Sequence, residues 1–575
     1  MLDTRAQDHE IKAHALWSVG RVKTLLNSIG HRAQNAPVRA IVTPESLHQE
    51  LNAIAAACHA RPCAQSITLQ GRIARMMDAA WWTRNLRRET VKRNEVIEHA
   101  GGKIRRKSQC YASDHAHKMK ALRAKANRQT LENLEVVNEA GQAFNLLEIA
   151  DKSISNPKLR RGELMVRARG FEEAAEFMGH KAIFLTITCP SRFHRFAGTG
   201  HENKQWIEDT PRDAQDYLCA TWAKIRAAWG RRKIAPYGFR VAEPHHDGCP
   251  HWHILLFVNP DQVQDLCAIA QSYALKDTPS ERGALKHRFT VERIDTTKGS
   301  ATGYIAKYIS KNIDGLTEAG DNVGLDFASG TKASDSSARV KTWATTWGIR
   351  QFQQIGGPSV TVWRELRRLG EAAESTQRDL FDNAQAAADR ACWMSFWMLQ
   401  GGPDVRRSDL PLKPFYQSDS LGKYGDEVRR ITGITVATEA GELYKQTRLH
   451  EWTVQRAGQA STEQHYAERL DDMTAAANIK RFLGAAGFSD VAEFHAREGA
   501  WTGVNNCTPE PAPAPFTGFD FEGFEPGGGE IPYLPEYSRT GQPDDVAAEV
   551  AILEEIWEQT QYVHRARYFA HSQPA

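Results

Sequence analysis

The sequence predicts an α+β protein: a central antiparallel sheet with flanking helices, set between mainly helical N-terminal and C-terminal regions. Three observations point there. Runs rich in β-branched and apolar residues read as strands at KAIFLTIT (Lys181 to Thr188), YGFRVAE (Tyr237 to Glu243), HWHILLFV (His251 to Val258) and, more briefly, HRFTVERI. Amphipathic stretches separate them, at Asp213 to Trp229, Asp261 to Leu275 and Thr302 to Asn312. On either side, helix formers mix with apolar residues at helical spacing, as in ARMMDAAWWTRNLRRETVKRNEVIEH before the strands and VWRELRRLG and ACWMSFWML after them.

Each element has a local reason. The first strand is closed by Cys189-Pro190, and the Asp247-Gly248 turn signal folds the second and third strands into a hairpin. Gly, Ser, Asp and Lys crowd from Asp314 to Ser337 and mark a long loop. With 575 residues the chain exceeds the roughly 250 to 300 at which single cores stop growing, so several units are expected. They are a helical, partly basic unit over 1–175, the sheet-bearing unit over 176–330 and a mainly helical accessory unit over 331–505. A Pro- and Gly-rich acidic linker over 506–545 and a C-terminal helix over 546–575 follow.

The net charge of +3 says little about partners, but its distribution does. Between Arg84 and Arg128 fourteen Lys or Arg face four acids, whereas Thr508 to Asp545 carries eight acids and one Arg. That asymmetry suggests a nucleic-acid-facing part and a separate acidic tail. The nine cysteines are scattered without paired zinc-site spacing, which argues for reduced thiols in a cytoplasm. The polar start MLDTRAQDHE and the lack of an apolar run near the ~20 residues a membrane helix needs predict a soluble cytoplasmic protein.

His251-Trp252-His253 carries the most chemistry. Strand geometry turns both imidazoles to one face and Trp252 to the other. Glu243 ends a neighbouring strand whose Phe239, Val241 and Glu243 share a face, and it is placed to supply a third metal ligand. Two imidazoles and one carboxylate leave coordination positions open, as a catalytic ion requires; carboxylate and substrate oxygens suit Mg²⁺ or Mn²⁺. His245 and His246 compete as ligands from the loop. Taken alone, the motif fits surface or satisfied core histidines of a hairpin better than a metal site.

A second constellation is Gly303-Tyr304-Ile305-Ala306-Lys307-Tyr308-Ile309-Ser310-Lys311. On a helix Tyr304 and Tyr308 lie four apart and address one place, with Lys307 and Lys311 three residues after each. Neighbouring cations would favour the phenolate and hold charge on a phosphoryl group, which suits tyrosine nucleophiles. An amphipathic helix with a core stripe and two solvated lysines explains the same pattern.

Four blocks in order go further. FLTITCPSRFHR (Phe184 to Arg195), YGFRVAEPHHDGCPHWHILLFV (Tyr237 to Val258), GYIAKYISKNIDG (Gly303 to Gly315) and GIRQFQQIGGPSVTVWRELRRL (Gly348 to Leu369) resemble the replication gene A proteins of tailed temperate phages and their prophages. These belong to the HUH endonuclease superfamily of rolling-circle replication initiators. The resemblance covers roughly residues 181 to 370 and departs from the family's usual small residue at Cys249. It implies a two-tyrosine, metal-dependent nickase over 176–330 with a ferredoxin- or RRM-like sheet. Tyr304 and Tyr308 would be the nucleophiles, His251 and His253 metal ligands, and Glu243 the third ligand.

The resemblance also implies origin DNA as substrate and a host replicative helicase as partner. A non-catalytic origin-binding scaffold and a relaxase or transposase of the same superfamily are the competing readings. A scaffold would not need paired tyrosines with paired lysines, and relaxases usually place the tyrosine before the histidine motif. The acidic aromatic stretch GFDFEGFE is the expected helicase dock. Deleting Thr508 to Ala575 is then expected to impair replication in cells while leaving nicking in vitro intact; normal replication by the truncated protein would refute the dock.

Overall fold

The computed structural model describes residues 2–35, 43–294, 299–317, 320–326, 328–369, 379–403, 405–438 and 441–458. The expected linker over 506–545, with its acidic aromatic stretch, and the expected helix over 546–575 lie outside the described residues. So do positions 459–505 of the expected accessory unit.

The N-terminal region is built from α1 (Asp8–Asn35), α2 (Pro44–Ala57), α3 (Leu69–Met76), α4 (Ala79–Ala100) and α5 (Asp114–Glu132). Leu47, Leu51, Ile73, Trp82 and Leu86 are buried in its own apolar core. The short strands β1 (Leu134–Asn138) and β2 (Ala143–Asn145) follow, then α6 (Leu146–Asp151) and α7 (Pro157–Met178). Beyond these come β3 (Lys181–Thr188), α8 (Pro211–Arg231), β4 (Tyr237–Pro244), β5 (Pro250–Val258), α9 (Val263–Leu275), α10 (Ala284–His287), β6 (Phe289–Arg293) and α11 (Ala301–Ile313). The C-terminal part adds α12 (Ala333–Trp347), β7 (Phe352–Ile355), α13 (Val360–Leu366), α14 (Leu380–Asp389), α15 (Trp393–Leu399), β8 (Leu412–Leu421), β9 (Glu427–Thr438), β10 (Gly441–Gln446) and β11 (Trp452–Arg456).

The architecture is α+β, with antiparallel sheets flanked by helices. The central sheet runs β6-β3-β5-β4-β7, antiparallel throughout. Its fifth strand lies beyond the residue-330 boundary read from the sequence. One face, carrying Leu185, Trp252, Ile254 and Leu256, packs with Leu218, Trp222, Leu266 and Trp343 of α8, α9 and α12. The other carries Phe184, Phe239, Val241 and Leu255 and meets α7, α11 and α15. Alternation thus sorts the His251-Trp252-His253 strand as expected: Trp252 is fully buried, donates to Gln215 Oε1 at 3.1 Å and carries the Arg240 guanidinium 3.7 Å over its ring. On the opposite side, α15 approaches α7 so closely at Gly170 that a Cβ there would lie 2.6 Å from Cβ of Trp393.

Two regions expected to be mainly helical carry strands. β1 and β2 interrupt the N-terminal helices, and β8, β9 and β10 form a separate antiparallel sheet in the accessory region. The physical reason is visible in EVRRITGITVAT, whose β-branched residues are dense and whose Ile434 and Val436 are buried, a strand texture overshadowed by the Trp-rich helix before it. The long loop after residue 314 ends earlier than expected, because α12 opens at Ala333. Among the described residues no helix is long and apolar enough to cross a membrane.

One buried carboxylate joins α4 to α5. Glu95, fully buried, accepts the backbone N–H of Ser113 through both oxygens at 3.0 and 3.2 Å, while the Ser113 hydroxyl caps α5 at Ala116 N. Burial pushes the Glu95 carboxyl up to about 7 from an ordinary 4.5. A raised carboxyl stabilises the fold fully below pH ~4.5 and loses that contribution as pH climbs through ~7, on the order of 3 kcal/mol in all. Urea unfolding of wild type against Glu95→Gln across pH 4.5 to 8.5 is expected to show wild type losing ground to the variant as pH rises; parallel profiles would rule this out.

Candidate active site

The β4–β5 hairpin closes through His245 N to Cys249 O at 2.7 Å and Gly248 N to His245 O at 2.8 Å. Its register sets Glu243 directly opposite His251 and Val241 opposite His253, so the carboxylate and both imidazoles project from one face. Ligand atoms of Glu243, His251 and His253 all lie within 4.8 Å of one another. The two Nε2 atoms are 3.0 Å apart, and Glu243 Oε2 is 3.5 Å from that of His253 and 3.8 Å from that of His251. Nitrogens so close beside a carboxylate need either a shared proton or a shared cation.

The surroundings fit a cation. His253 Nδ1 lies 3.1 Å from Thr186 Oγ1 on β3, and donation there leaves Nε2 free as a ligand. Burial, reinforced by the neighbouring His245 and His253, drives the His251 imidazole well below its ordinary range, so its ring is neutral. Burial works to raise Glu243, but Lys311, His253 and Asn312 outweigh it and hold the carboxyl down at about 2. Two imidazoles and an ionised carboxylate form a clustered site compatible with a divalent metal. The loop histidines take other places: His245 packs its ring 4.1 Å from that of His251, and His246 Nδ1 is buried without a hydrogen-bond partner among the described residues.

Helix α11 comes to this face because α7 holds it at both ends. Glu172 of α7 accepts Ala301 N at 2.5 Å and Thr302 N at 3.2 Å, and the Ser300 hydroxyl accepts Gly303 N at 3.0 Å. At the other end buried Arg161 of α7 pairs with Asp314 and donates to Thr317 O at 3.0 Å. Gly315 follows at φ 71°, where a Cβ would meet the Ala333 backbone at 2.2 Å, so only glycine lets α12 start against the end of α11.

The Tyr308 ring stacks on His253 with centroids 4.0 Å apart and on Phe184 at 5.4 Å. Tyr304, one turn earlier, reaches Phe184 at 6.4 Å. Both tyrosines therefore line the metal-ligand face, with Tyr308 nearer the cluster. The expected lowering of the phenol is reversed for Tyr308: burial, then Glu243 and Glu292, push it up. Lys311 is turned away from it, with Nζ 3.1 Å from Asp326 Oδ1. Lys307 is exposed.

Three residues of this frame escaped the sequence reading. Asn312 donates to Glu243 Oε1 and to Tyr308 O at 2.7 Å; its place four residues after Tyr308 was the available signal. Asp326, fully buried, accepts from Tyr111 Oη at 2.6 Å and so ties Lys311 to the N-terminal region; no local pattern announces a contact of that sequence separation. Thr186 sits opposite His253 in the register of β3 and β5.

The family model for bacteriophage replication gene A protein (GPA) matches residues 31–316, a span that includes the hairpin and both tyrosines. The chain belongs to the bacteriophage replication gene A protein family. This family member is 38% identical over 440 residues to a replication protein of Haemophilus phage HP1, covering 76% of this chain and 53% of the relative. It is 39% identical over 387 residues to the replication gene A protein of Escherichia phage 186, covering 66% and 55%. A "probable replication endonuclease from prophage-like region" of Salmonella paratyphi A is 35% identical over 384 residues, covering 64% and 48%. The chain thus spans about half the length of the curated relatives it matches. No solved structure matches it.

Metal binding is checkable without any substrate. By mass action, Mn²⁺ at about a hundred times its Kd is expected to add ~2.7 kcal/mol to wild-type stability, and Glu243→Gln with His251→Ala to abolish the gain. Equal stabilisation of wild type and variant in a melting experiment would remove these residues as ligands.

Proposed function

We propose that this chain is a rolling-circle replication initiator of the HUH type, which nicks one strand of origin DNA and retains the new 5′ end on a tyrosine. The observation that carries the reading is the Tyr308 ring stacked on His253 at 4.0 Å, beside the carboxylate and imidazoles of Glu243, His251 and His253. A nucleophile and a divalent-metal site thus share one face. The antiparallel order β6-β3-β5-β4-β7 with helices on it is compatible with the ferredoxin- or RRM-like core that this reading expects.

In the step proposed, Tyr308 Oη attacks the scissile phosphorus, the P–O3′ bond breaks and the 3′-oxygen leaves as a hydroxyl. The phenol's lost proton balances the one the leaving oxygen gains. A bound Mg²⁺ or Mn²⁺ supplies Lewis-acid polarisation of a phosphoryl oxygen. Glu243, His251 and His253 would hold it, with Asn312 fixing the carboxylate and Thr186 the His253 ring. Phe184, under both tyrosines, orients their rings, and exposed Lys307 is available to a DNA phosphate. Lys311, held by Asp326, keeps positive charge beside Glu243. Attack by a 3′-hydroxyl on the phosphotyrosine reverses the chemistry and rejoins ends without ATP, and Tyr304 supplies a second nucleophile while the first is occupied.

Origin DNA as single-stranded or supercoiled substrate and a host replicative helicase are the partners of this reading, and the names of the phage and prophage relatives support it. Incubation with a single-stranded origin oligonucleotide and Mn²⁺ or Mg²⁺ is expected to give a covalent adduct on a denaturing gel, lost in Tyr304→Phe plus Tyr308→Phe. An adduct persisting in that double variant would sink the tyrosine assignment, and one formed without metal would sink the role of the histidines.

A further inference from the structure

A groove of about 3440 Å³ lies outside the Glu243, His251 and His253 cluster, along β7 and between α7, the C-terminal end of α12 and the sheet of β8, β9 and β10. Its lining includes eleven arginines, no lysine, and two carboxylates, Glu163 and Glu451. Some of these arginines are neutralised locally: Arg364 and Arg167 share Glu163, and Arg212 pairs with Asp216. Arg160, Arg226, Arg407 and Arg430 form no ion pair with any described residue. Burial, then the crowding of Arg364, Arg350 and Arg160, pushes the Arg167 guanidinium down to about 10 against the pull of Glu163. So dense a set of cations is stable only with counter-charge close by.

Aromatic rings interleave with the cations. Arg160 lies 5.3 Å over Phe352, and Arg429 lies 5.3 Å over Tyr416. Tyr444 and Trp452, also in the lining, are 42% and 43% exposed. Guanidiniums match phosphates in fork geometry, and open ring faces receive unpaired bases, which a duplex keeps stacked inside. The groove also touches the frame of the candidate active site. Arg350 and Phe352 line it and flank Gln351, whose side chain donates to Asn312 Oδ1 at 3.4 Å, and Asn312 donates to Glu243.

We propose that this groove binds single-stranded nucleic acid at a site separate from the cleavage face, its arginines on phosphates and Tyr416, Tyr444 and Trp452 under bases. The site stands whether or not the tyrosines cut.

Binding of the full chain to a labelled single strand of about 30 nucleotides, followed by fluorescence anisotropy without metal across a salt titration, tests this. Arg226→Glu, Arg407→Glu and Arg430→Glu together are expected to weaken binding more than about tenfold and to make the log–log salt slope shallower by about 2, at about 0.7 per phosphate contact. Tyr416→Ala with Tyr444→Ala is expected to cost about fivefold or more on the single strand and leave a duplex of equal length unaffected. An unchanged affinity and slope in the arginine triple would overturn the proposal. So would an equal loss on duplex in the tyrosine pair, or displacement of the strand by poly-glutamate at matched charge. If the triple fails to fold, Arg430→Ala decides: a slope shallower by about 0.7 supports the site and an unchanged slope overturns it. The two readings separate cleanly, because the groove variants are expected to form the tyrosine adduct on a short cleavage-site oligonucleotide, and the Tyr304→Phe plus Tyr308→Phe variant to retain groove binding.

Discussion

The grip of α7 on α11 is the constraint on which the candidate site depends. Stacking of Tyr308 on His253 requires that a helix and a strand, which share no hydrogen-bond ladder, keep one height and one rotation. Glu172 against the first backbone N–H groups of α11 and Arg161 on Asp314 at its end supply both. Each charge also complements the helix dipole at the end it meets. A slip by one turn, about 5.4 Å, would carry Tyr304 to the place of Tyr308, so the clamp decides which phenol faces the histidines.

The hairpin register does the same for the ligands. Because Glu243 pairs with His251, three donor groups converge from two neighbouring strands with no contribution from the loop. A slip of one residue between β4 and β5 would leave the carboxylate and the two imidazoles on opposite faces of the sheet. Burying Trp252 under α8 makes such a slip costly, so the residue between the histidines is the register's anchor. The acidic Glu243 of β4 and the ion pair of Lys311 on α11 with Asp326 in the following loop then set the charge of the centre from three parts of the chain.

How much of this was legible in the sequence follows from the range of each interaction. The strands of the central sheet, the hairpin and the tyrosine helix announce themselves through period-two and helical spacing, and the His251-Trp252-His253 alternation carried its facing directly. Glu243 was readable because its partner strand follows within a few residues. Asp326 and Tyr111 were not, since each meets the site across a long stretch of chain. The effect of Lys311 was misread because helical spacing gives neighbours but not the carboxylates on other elements that outcompete them. The sheet of β8, β9 and β10, with the groove beside it, went unseen because its arginines are scattered along the chain and gather only on folding.

The pairing of β1 with β11 bears on what counts as the folding unit. Leu134 to Asn138 runs antiparallel to Trp452 to Arg456 along its full length, with β2 on its other edge. Without β11, β1 and β2 would be left as a two-stranded ribbon held only against α5 and α6. The strand that completes this small sheet lies far beyond residue 316, where the family match ends. The small sheet thus joins positions more than three hundred residues apart, and the edge of β1 gains its cover only from a strand near the far end of the described chain.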